Sequence, residues 1–244
     1  MHTHDNYEIY CFLKGNAKYY VEGTIYSLRP GDILIMKKAE AHSLLMKDTM
    51  PYERIVINFH ADALLDDFQT ILLPFLDERP LGSANRYPAS MFSNRHWQEY
   101  LDRIVTDTDE HIKRLYLTLL LQEMWEATPR LKHQTETKDN LSELIGYINL
   151  HLTQDLALDD LCNKFYISKS HLTKRFKSLT GTTVGEYIRT KRLVMAKVLL
   201  QEGVRPTAVA TQCGFKEYSS FFYAYKKKYG VSPKAASAAH GQIT

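Results

Sequence analysis

Two helix-turn-helix patterns stand in tandem in the C-terminal part of this 244-residue chain, one over Leu161–Phe176 and the other over Val209–Tyr225. In the first, Leu158, Leu161, Cys162 and Phe165 are spaced as one face of a short helix, and Tyr166-Ile167 makes the turn. Ser168 suits an N-cap, because its hydroxyl accepts an orphan backbone N–H, and the next helix is predicted to run to Thr180 with Gly181 as its left-handed C-cap. On a helical wheel Leu172, Phe176 and Leu179 fall together, opposite Ser170, Thr173, Lys174 and Lys177. The second pattern opens on Pro206, carries Val209 and Ala210 inward, turns at Cys213-Gly214-Phe215 and continues from about Glu217 to Tyr229. There Tyr218, Phe221, Phe222 and Tyr225 make the apolar side, and Lys216, Ser219, Ser220, Tyr223 and Lys227 the other. The intervening Val184–Gln201 reads as one helix, roughly 27 Å long. That length suits holding two reading helices in successive major-groove segments about 34 Å apart. Either motif alone is also compatible with a helical protein-interaction bundle; the pair on one spacer points to DNA.

Residues 139–233 resemble the DNA-binding domain of the AraC/XylS family of bacterial transcription regulators. The resemblance rests on the ordered series Ser168, Leu172, Phe176-Lys177, Gly181, Tyr187-Ile188, Arg192-Leu193, Ala196, Leu199-Leu200, Ala210, Gly214-Phe215, Ser219, Phe221, Lys226, Gly230 and Ser232-Pro233. It implies groove-reading roles for Ser170, Thr173 and Lys174 in the first reader and Tyr218, Ser219, Ser220 and Tyr223 in the second. The wheel puts Tyr218 on the apolar side; its place at the helix start keeps it in the set. Ser168, Lys169, Lys177, Lys216 and Lys227 complete the expected DNA-binding residues, with Arg189, Lys191, Arg192, Lys226 and Lys228 as further phosphate candidates. Tyr223 stands where the family usually has Arg, which removes a phosphate or guanine contact from the second reader. Pro206 replaces a usual Ile, and the tail after Pro233 lacks the usual Tyr-Arg, so residues 235–244 are expected to fray.

Charge divides the chain at the same place. From residue 139 onward 15 Lys and Arg face 8 Asp and Glu, whereas residues 1–138 hold 16 against 20. The basic half is the half with the motifs, as an electrostatic partner for DNA requires. Together with the polar stretch Thr128–Asn140, this predicts a first domain over residues 1–127, a linker over 128–138 and a helical domain over 139–234. Cys11, Cys162 and Cys213 show no metal or redox spacing and read as reduced, buried residues. The first residues lack an apolar signal region, and no run approaches the roughly 18 apolar residues of a membrane span, so a cytoplasmic protein is expected.

The first sixty residues read as β structure. Tyr7–Leu13, Ala17–Val21, Thr24–Leu28, Ile33–Met36 and Ile55–His60 are short β-rich runs punctuated by Lys14-Gly15-Asn16, Glu22-Gly23 and Arg29-Pro30-Gly31-Asp32. Such spacing suggests an antiparallel barrel or jelly roll. His2-x-His4-x-x-x-Glu8 with Gly15, and Pro30-Gly31 followed by His42, resemble the two motifs of cupin barrels, the sensing domain at the amino end of many AraC-family regulators. In metal-binding cupins such residues converge on an ion, and His2, His4, Glu8 and His42 have the right donors for Fe, Mn, Ni or Zn. In regulators the same barrel usually holds an effector such as a sugar, and that is the reading adopted: His4, Glu8, Tyr10, Tyr19 and His42 as effector-binding residues, no metal and no cofactor. Tyr7 and Tyr26 are further aromatic candidates. His2 falls at the extreme start, where the family has a strand or two before the motif, so either the product begins further upstream or the barrel closes differently.

Asp62–Asp77, Phe92–Thr106 and Asp109–Glu126 read as helices, the last with a stripe at Ile112, Leu115, Tyr116, Leu119, Leu120, Glu123 and Met124. The family often dimerises through helices at this place, so the stripe is the expected homodimer seam, the alternative being that these helices cover the open side of the barrel. The expectation is an α+β protein, a cupin-like antiparallel barrel with helices followed by an all-α tandem helix-turn-helix domain. It would act as a sequence-specific, effector-responsive transcription activator whose partners are promoter DNA, a small molecule and RNA polymerase, with no catalytic residues. The competing class is a metal-dependent cupin enzyme with a helical accessory domain.

Overall fold

The computed structural model describes residues 2–92, 96–133, 137–138 and 140–238, and the chain divides into two compact units, residues 4–139 and residues 140–244, the first three residues grouping with the latter. The first unit holds two four-stranded antiparallel sheets. Strands β1 (Tyr7–Lys14), β2 (Ala17–Val21), β3 (Thr24–Ser27), β4 (Ile33–Met36), β5 (His42–Met46), β6 (Glu53–Phe59), β7 (Arg86–Tyr87) and β8 (Thr137–Lys138) are ordered β6-β1-β4-β7 in one sheet and β5-β2-β3-β8 in the other. The protein is α+β, as the sequence predicts.

Strand β1 explains the layering. It lies between β6 and β4, with Ile9 opposite both Ile57 and Ile35, so both its edges are hydrogen-bonded and its two faces are left to the layers above and below. Side chains alternate along a strand. Tyr7, Ile9 and Cys11 therefore enter a core shared with the helices, while Tyr10 and Phe12 enter a core between the sheets with Ala17, Tyr19, Val21, Leu34 and Met36. Helices α1 (Asp66–Asp77), α2 (His96–Thr106) and α3 (Glu110–Ala127) cover the outer face through Leu72, Leu76, Trp97, Leu101, Leu117, Leu120, Leu121 and Met124. The two-residue turn between β2 and β3 has positive φ at both Glu22 (47°) and Gly23 (99°), the backbone twist that tight hairpins require.

Strand β5, which carries no alternation or turn signal of its own, exists because β2 pairs with it, Val21 opposite His42. The expected linker over 128–138 is tied to the fold: Leu131 is buried in the helical core and Thr137–Lys138 pairs with β3, while residues 134–136 lie outside the described residues. In the α3 stripe, Leu120 and Met124 belong to the core, leaving Leu115 as its exposed member. Tyr7 donates its hydroxyl to Asp77 on the helical side and so leaves the set of intersheet aromatics.

The second unit is all helix: α4 (Asn140–Leu150), α5 (Leu158–Lys164), α6 (Lys169–Thr180), α7 (Val184–Gln201), α8 (Pro206–Gln212), α9 (Tyr218–Tyr229) and α10 (Pro233–Ala238). Helix α10 shows that the expected frayed tail continues as helix to Ala238, anchored by buried Pro233; residues 239–244 lie outside the described residues. Ser168 caps α6 by accepting from His171 N–H, and Gly181 closes it at φ 72°. Tyr166 in the first turn adopts φ 51° with 98% of its surface exposed, a left-handed backbone with no side-chain burial to offset it. Tyr166→Gly is expected to raise stability by about 1 kcal/mol, the penalty of a left-handed non-glycine residue less glycine's added chain entropy. Thermal unfolding followed by helical circular dichroism checks this, and an unchanged or lower midpoint refutes it.

Candidate functional site

In the sheet unit the five expected effector residues converge. Period-two alternation turns Glu8 to the intersheet side of β1 with Tyr10. His4 Nε2 lies 3.0 Å from Glu8 Oε2, His42 Nε2 lies 3.6 Å from Glu8 Oε1, and the Tyr19 hydroxyl donates to Glu8 Oε1 at 3.3 Å. The His4 and His42 rings meet edge to face at 5.0 Å, and Tyr10 and Tyr19 pack with centroids 4.5 Å apart. Glu8 and His42 are buried and His4 is partly exposed. Burial pushes the Glu8 carboxyl up, but hydrogen bonds from His4 and His42 and their charge outweigh it and hold the group well below the usual carboxylate range. Burial lowers His4, and the Glu8 hydrogen bond with the Asn6 carbonyl reverses this to a net rise. Burial raises the Tyr19 hydroxyl strongly, keeping it a proton donor.

Two members of this site were missed from the sequence. The Tyr10 hydroxyl meets the Tyr52 hydroxyl at 2.5 Å, and Arg54 donates to Tyr52 at 2.9 Å. Nothing in the spacing of Tyr52 or Arg54 separates them from an ordinary strand entrance. Tyr26, an aromatic candidate, instead donates to Gly82 O and Asn85 Oδ1. His2 is exposed.

In the helical unit every expected DNA-binding residue is exposed: Ser168, Lys169, Ser170, Thr173, Lys174 and Lys177 in the first motif, Lys216, Tyr218, Ser219, Ser220, Tyr223 and Lys227 in the second. Leu172 and Phe176 anchor α6, and Phe221 and Tyr225 anchor α9, so the opposite faces are left to solvent. Lys169, Ser170, Thr173, Lys174 and Lys177 border one shallow hollow of about 610 Å³. Ser220, Tyr223, Lys227 and Lys228 border another of about 870 Å³ against Arg189 of α7. Tyr223 is 72% exposed at the middle of α9.

The cations divide by environment. Lys169 bridges to Asp159 at 2.5 Å and Lys216 to Asp155 at 2.6 Å, both pairs at the exposed surface. Lys191 is buried, which removes it from the phosphate candidates. Arg192 is also a structural group: its guanidinium donates to the carbonyls of Leu152, Gly214 and Gln154 at 2.6–2.8 Å. Lys174, Lys177, Lys226 and Lys227 remain on the open surface.

Residues 1–100 match the family model of an AraC-like ligand binding domain, and residues 161–238 match that of a helix-turn-helix domain. The chain belongs to the AraC/XylS family. This AraC-family protein is a DNA-binding transcription regulator with an N-terminal ligand-binding type of domain. It is 27% identical over 226 residues to the HTH-type transcriptional regulator YbfI of Bacillus subtilis, covering 89% of this chain and 79% of that one. It is 25% identical over 242 residues to the HTH-type transcriptional activator RhaR of Salmonella schwarzengrund, covering 95% and 84%. Among solved structures, the DNA-binding domain of AdpA in complex with a target DNA aligns with TM-score 0.41 and 29% identity, covering 42% of this regulator and 94% of that domain. No helix among the described residues is long and apolar enough to cross a membrane.

Proposed function

We propose that this regulator is an effector-responsive, sequence-specific transcription activator of the cytoplasm that reads two successive major-groove segments of a promoter and acts on RNA polymerase there. The observation that carries the reading is the pair of α6 and α9, each anchored by two buried aromatic or aliphatic side chains and each presenting a solvent-facing row of hydroxyls and lysines. Ser170, Thr173, Lys174, Ser219, Ser220 and Tyr223 are the base readers; Lys177 and Lys227 hold phosphates; Tyr218 contacts the groove edge. Ser168 sets the start of α6 through its cap, and Lys169 and Lys216 reach phosphate by exchanging their carboxylate partners. Activation is supported by the name of RhaR as a transcriptional activator.

The sheet unit supplies the effector site at His4, Glu8, Tyr10, Tyr19 and His42, and a bound effector biases the arrangement in which the two readers are available. Residues 1–127 serve sensing and dimerisation, with Ile112, Leu115 and Leu119 of α3 as the seam between two copies. We assign the chain no catalytic step.

A genome-wide pull-down of fragmented DNA with the purified protein at ~150 mM salt, a condition that suppresses purely phosphate-driven binding, tests the reading. It is expected to return a recurrent site with two half-elements about ten base pairs apart. On that site Lys174→Ala weakens binding by about 1–3 kcal/mol and relaxes preference at one position. Lys227→Ala weakens all sequences alike and lowers the salt slope by about 1. No enrichment over bulk DNA, or identical behaviour of the two variants, counts against the division into readers and anchors.

A further inference from the structure

Helices α6 and α9 are built on one pattern. Each is 12 residues long and is closed by a glycine in the left-handed conformation, Gly181 and Gly230. Each buries its fourth and eighth residues, Leu172 and Phe176 in the first, Phe221 and Tyr225 in the second. At 3.6 residues per turn the sixth residue of such a helix points directly away from that anchor. The sixth residue is Lys174 in α6 and Tyr223 in α9, and both are exposed. The same place on two matched frames thus carries a cation in one reader and an aromatic ring in the other.

The chemistry around that place differs in the same sense. Guanine offers two acceptors to the major groove and is selected by arginine or lysine, adenine is selected by asparagine or glutamine, and thymine is set apart by its C5 methyl, which takes an apolar contact. Helix α9 holds no Arg, Asn, Gln or acidic residue, and its lysines, Lys226, Lys227 and Lys228, stand in its last turn. Glu217, the residue before it, carries a carboxylate that only accepts, so it has no partner in the two acceptors of guanine. The hydroxyls of Ser219 and Ser220 both donate and accept, so they do not separate the bases. What remains is apolar. Tyr223 is 72% exposed and Tyr218 39%, and the half-buried Phe222 lies 5.6 Å edge to face from the Tyr223 ring and 6.3 Å from the Tyr218 ring. Rings held in such a row leave apolar area in water that a methyl group in the groove covers. Arg189, Lys227 and Lys228 border the hollow that Tyr223 lines, which puts cations for the flanking phosphates beside it.

We propose that Tyr223 is a specificity-determining residue that reads thymine through its C5 methyl, so that the two half-elements differ in kind, with a guanine under Lys174 of α6 and a thymine under Tyr223 of α9. The inference rests on the reading of α6 and α9 as paired groove readers given above.

The test is selection of duplexes from a random-sequence pool by the purified full-length protein at ~150 mM salt, where purely phosphate-driven binding is suppressed. Affinity is then measured on the selected site with single thymines replaced by uracil, which removes the methyl and leaves every hydrogen-bonding group in place. Replacement of one thymine is expected to weaken binding about 4-fold, the factor that accompanies loss of one buried methyl-sized group. In Tyr223→Ala that thymine and its uracil counterpart bind alike. Tyr223→Phe keeps the ratio, because the ring and not the hydroxyl covers the methyl, and Tyr223→Arg exchanges thymine for guanine at that position. The side chain of Tyr223 lies on the open surface, and circular dichroism verifies that the variants fold. A phosphate contact through the Tyr223 hydroxyl gives the opposite pattern, an equal loss on all sequences in Tyr223→Phe with no thymine-to-uracil difference that depends on residue 223. That result overturns the inference and leaves the paired readers standing. Recovery of no common sequence overturns the paired readers and this inference together.

Discussion

Glu40→Ala is expected to lower the stability of the sheet unit by about 3–5 kcal/mol, the cost of stranding one half of a buried ion pair. Glu40 is fully buried and sits at the centre of five donors. One oxygen accepts from Arg79 Nη1 and Gly82 N–H, the other from Lys37 N–H, Arg79 Nη2 and Asn85 Nδ2, at 2.8–3.2 Å. Removing the carboxylate leaves the Arg79 guanidinium, itself 8% exposed, uncompensated in the interior. Gln is no rescue, because both oxygens accept and an amide presents hydrogens to donors on one side. The double variant Glu40→Leu, Arg79→Met is expected to recover much of the loss, since a buried pair replaced by apolar side chains of similar volume is often neutral. Both tryptophans, Trp97 and Trp125, lie in the sheet unit, so urea unfolding followed by tryptophan fluorescence reports on it selectively. A shift below about 1 kcal/mol refutes the assignment of Glu40 as the organising charge of the segment from Lys37 to Asn85.

Gly214→Ala is expected to disable the second reader. Gly214 adopts φ 79°, and a Cβ there meets the backbone oxygen of Thr153 at 2.5 Å and its carbonyl carbon at 2.9 Å. These are main-chain atoms, held from the other side by Arg192, whose guanidinium binds the carbonyls of Leu152, Gln154 and Gly214. The left-handed backbone costs about 1–2 kcal/mol and the overpacking about 1–3 kcal/mol more. The turn that orients α9 must therefore shift. Binding to a promoter site with both half-elements should fall to that of a site with the distal half scrambled, while the wild type distinguishes the two. Equal discrimination by the variant and the wild type sinks the prediction.

The DNA-binding half was legible in the sequence because its signals are local. Caps at Ser168 and Gly181, the opening Pro206 and the apolar spacing of Leu172, Phe176, Phe221 and Tyr225 each act within a few residues, and the helices follow them. Where reading failed in that half, the reason is a neighbour distant in sequence. Lys191 and Arg192 look like phosphate anchors until the fold buries the first and hands three carbonyls from other segments to the second. Burial lowers the affinity of Arg192 for its proton, with Asp155 opposing.

In the sheet unit, alternation along β1 decided that Glu8 and Tyr10 share a side, and the spacing of His4 to Glu8 brought those two together. The remaining site residues come from segments 11 to 44 residues away from Glu8 or Tyr10, and their approach depends on strand order. The sequence by itself determined the two reading helices, their caps and which of their faces meets solvent, because hydrogen bonding and apolar spacing over one or two turns are sufficient for that. Only the tertiary structure decided that Tyr52 and Arg54 join Tyr10, that Leu120 and Met124 leave the outer stripe of α3, and that Thr137–Lys138 becomes a strand. Sheet pairing and helix cover are chosen by the burial they achieve together, a quantity no single segment carries.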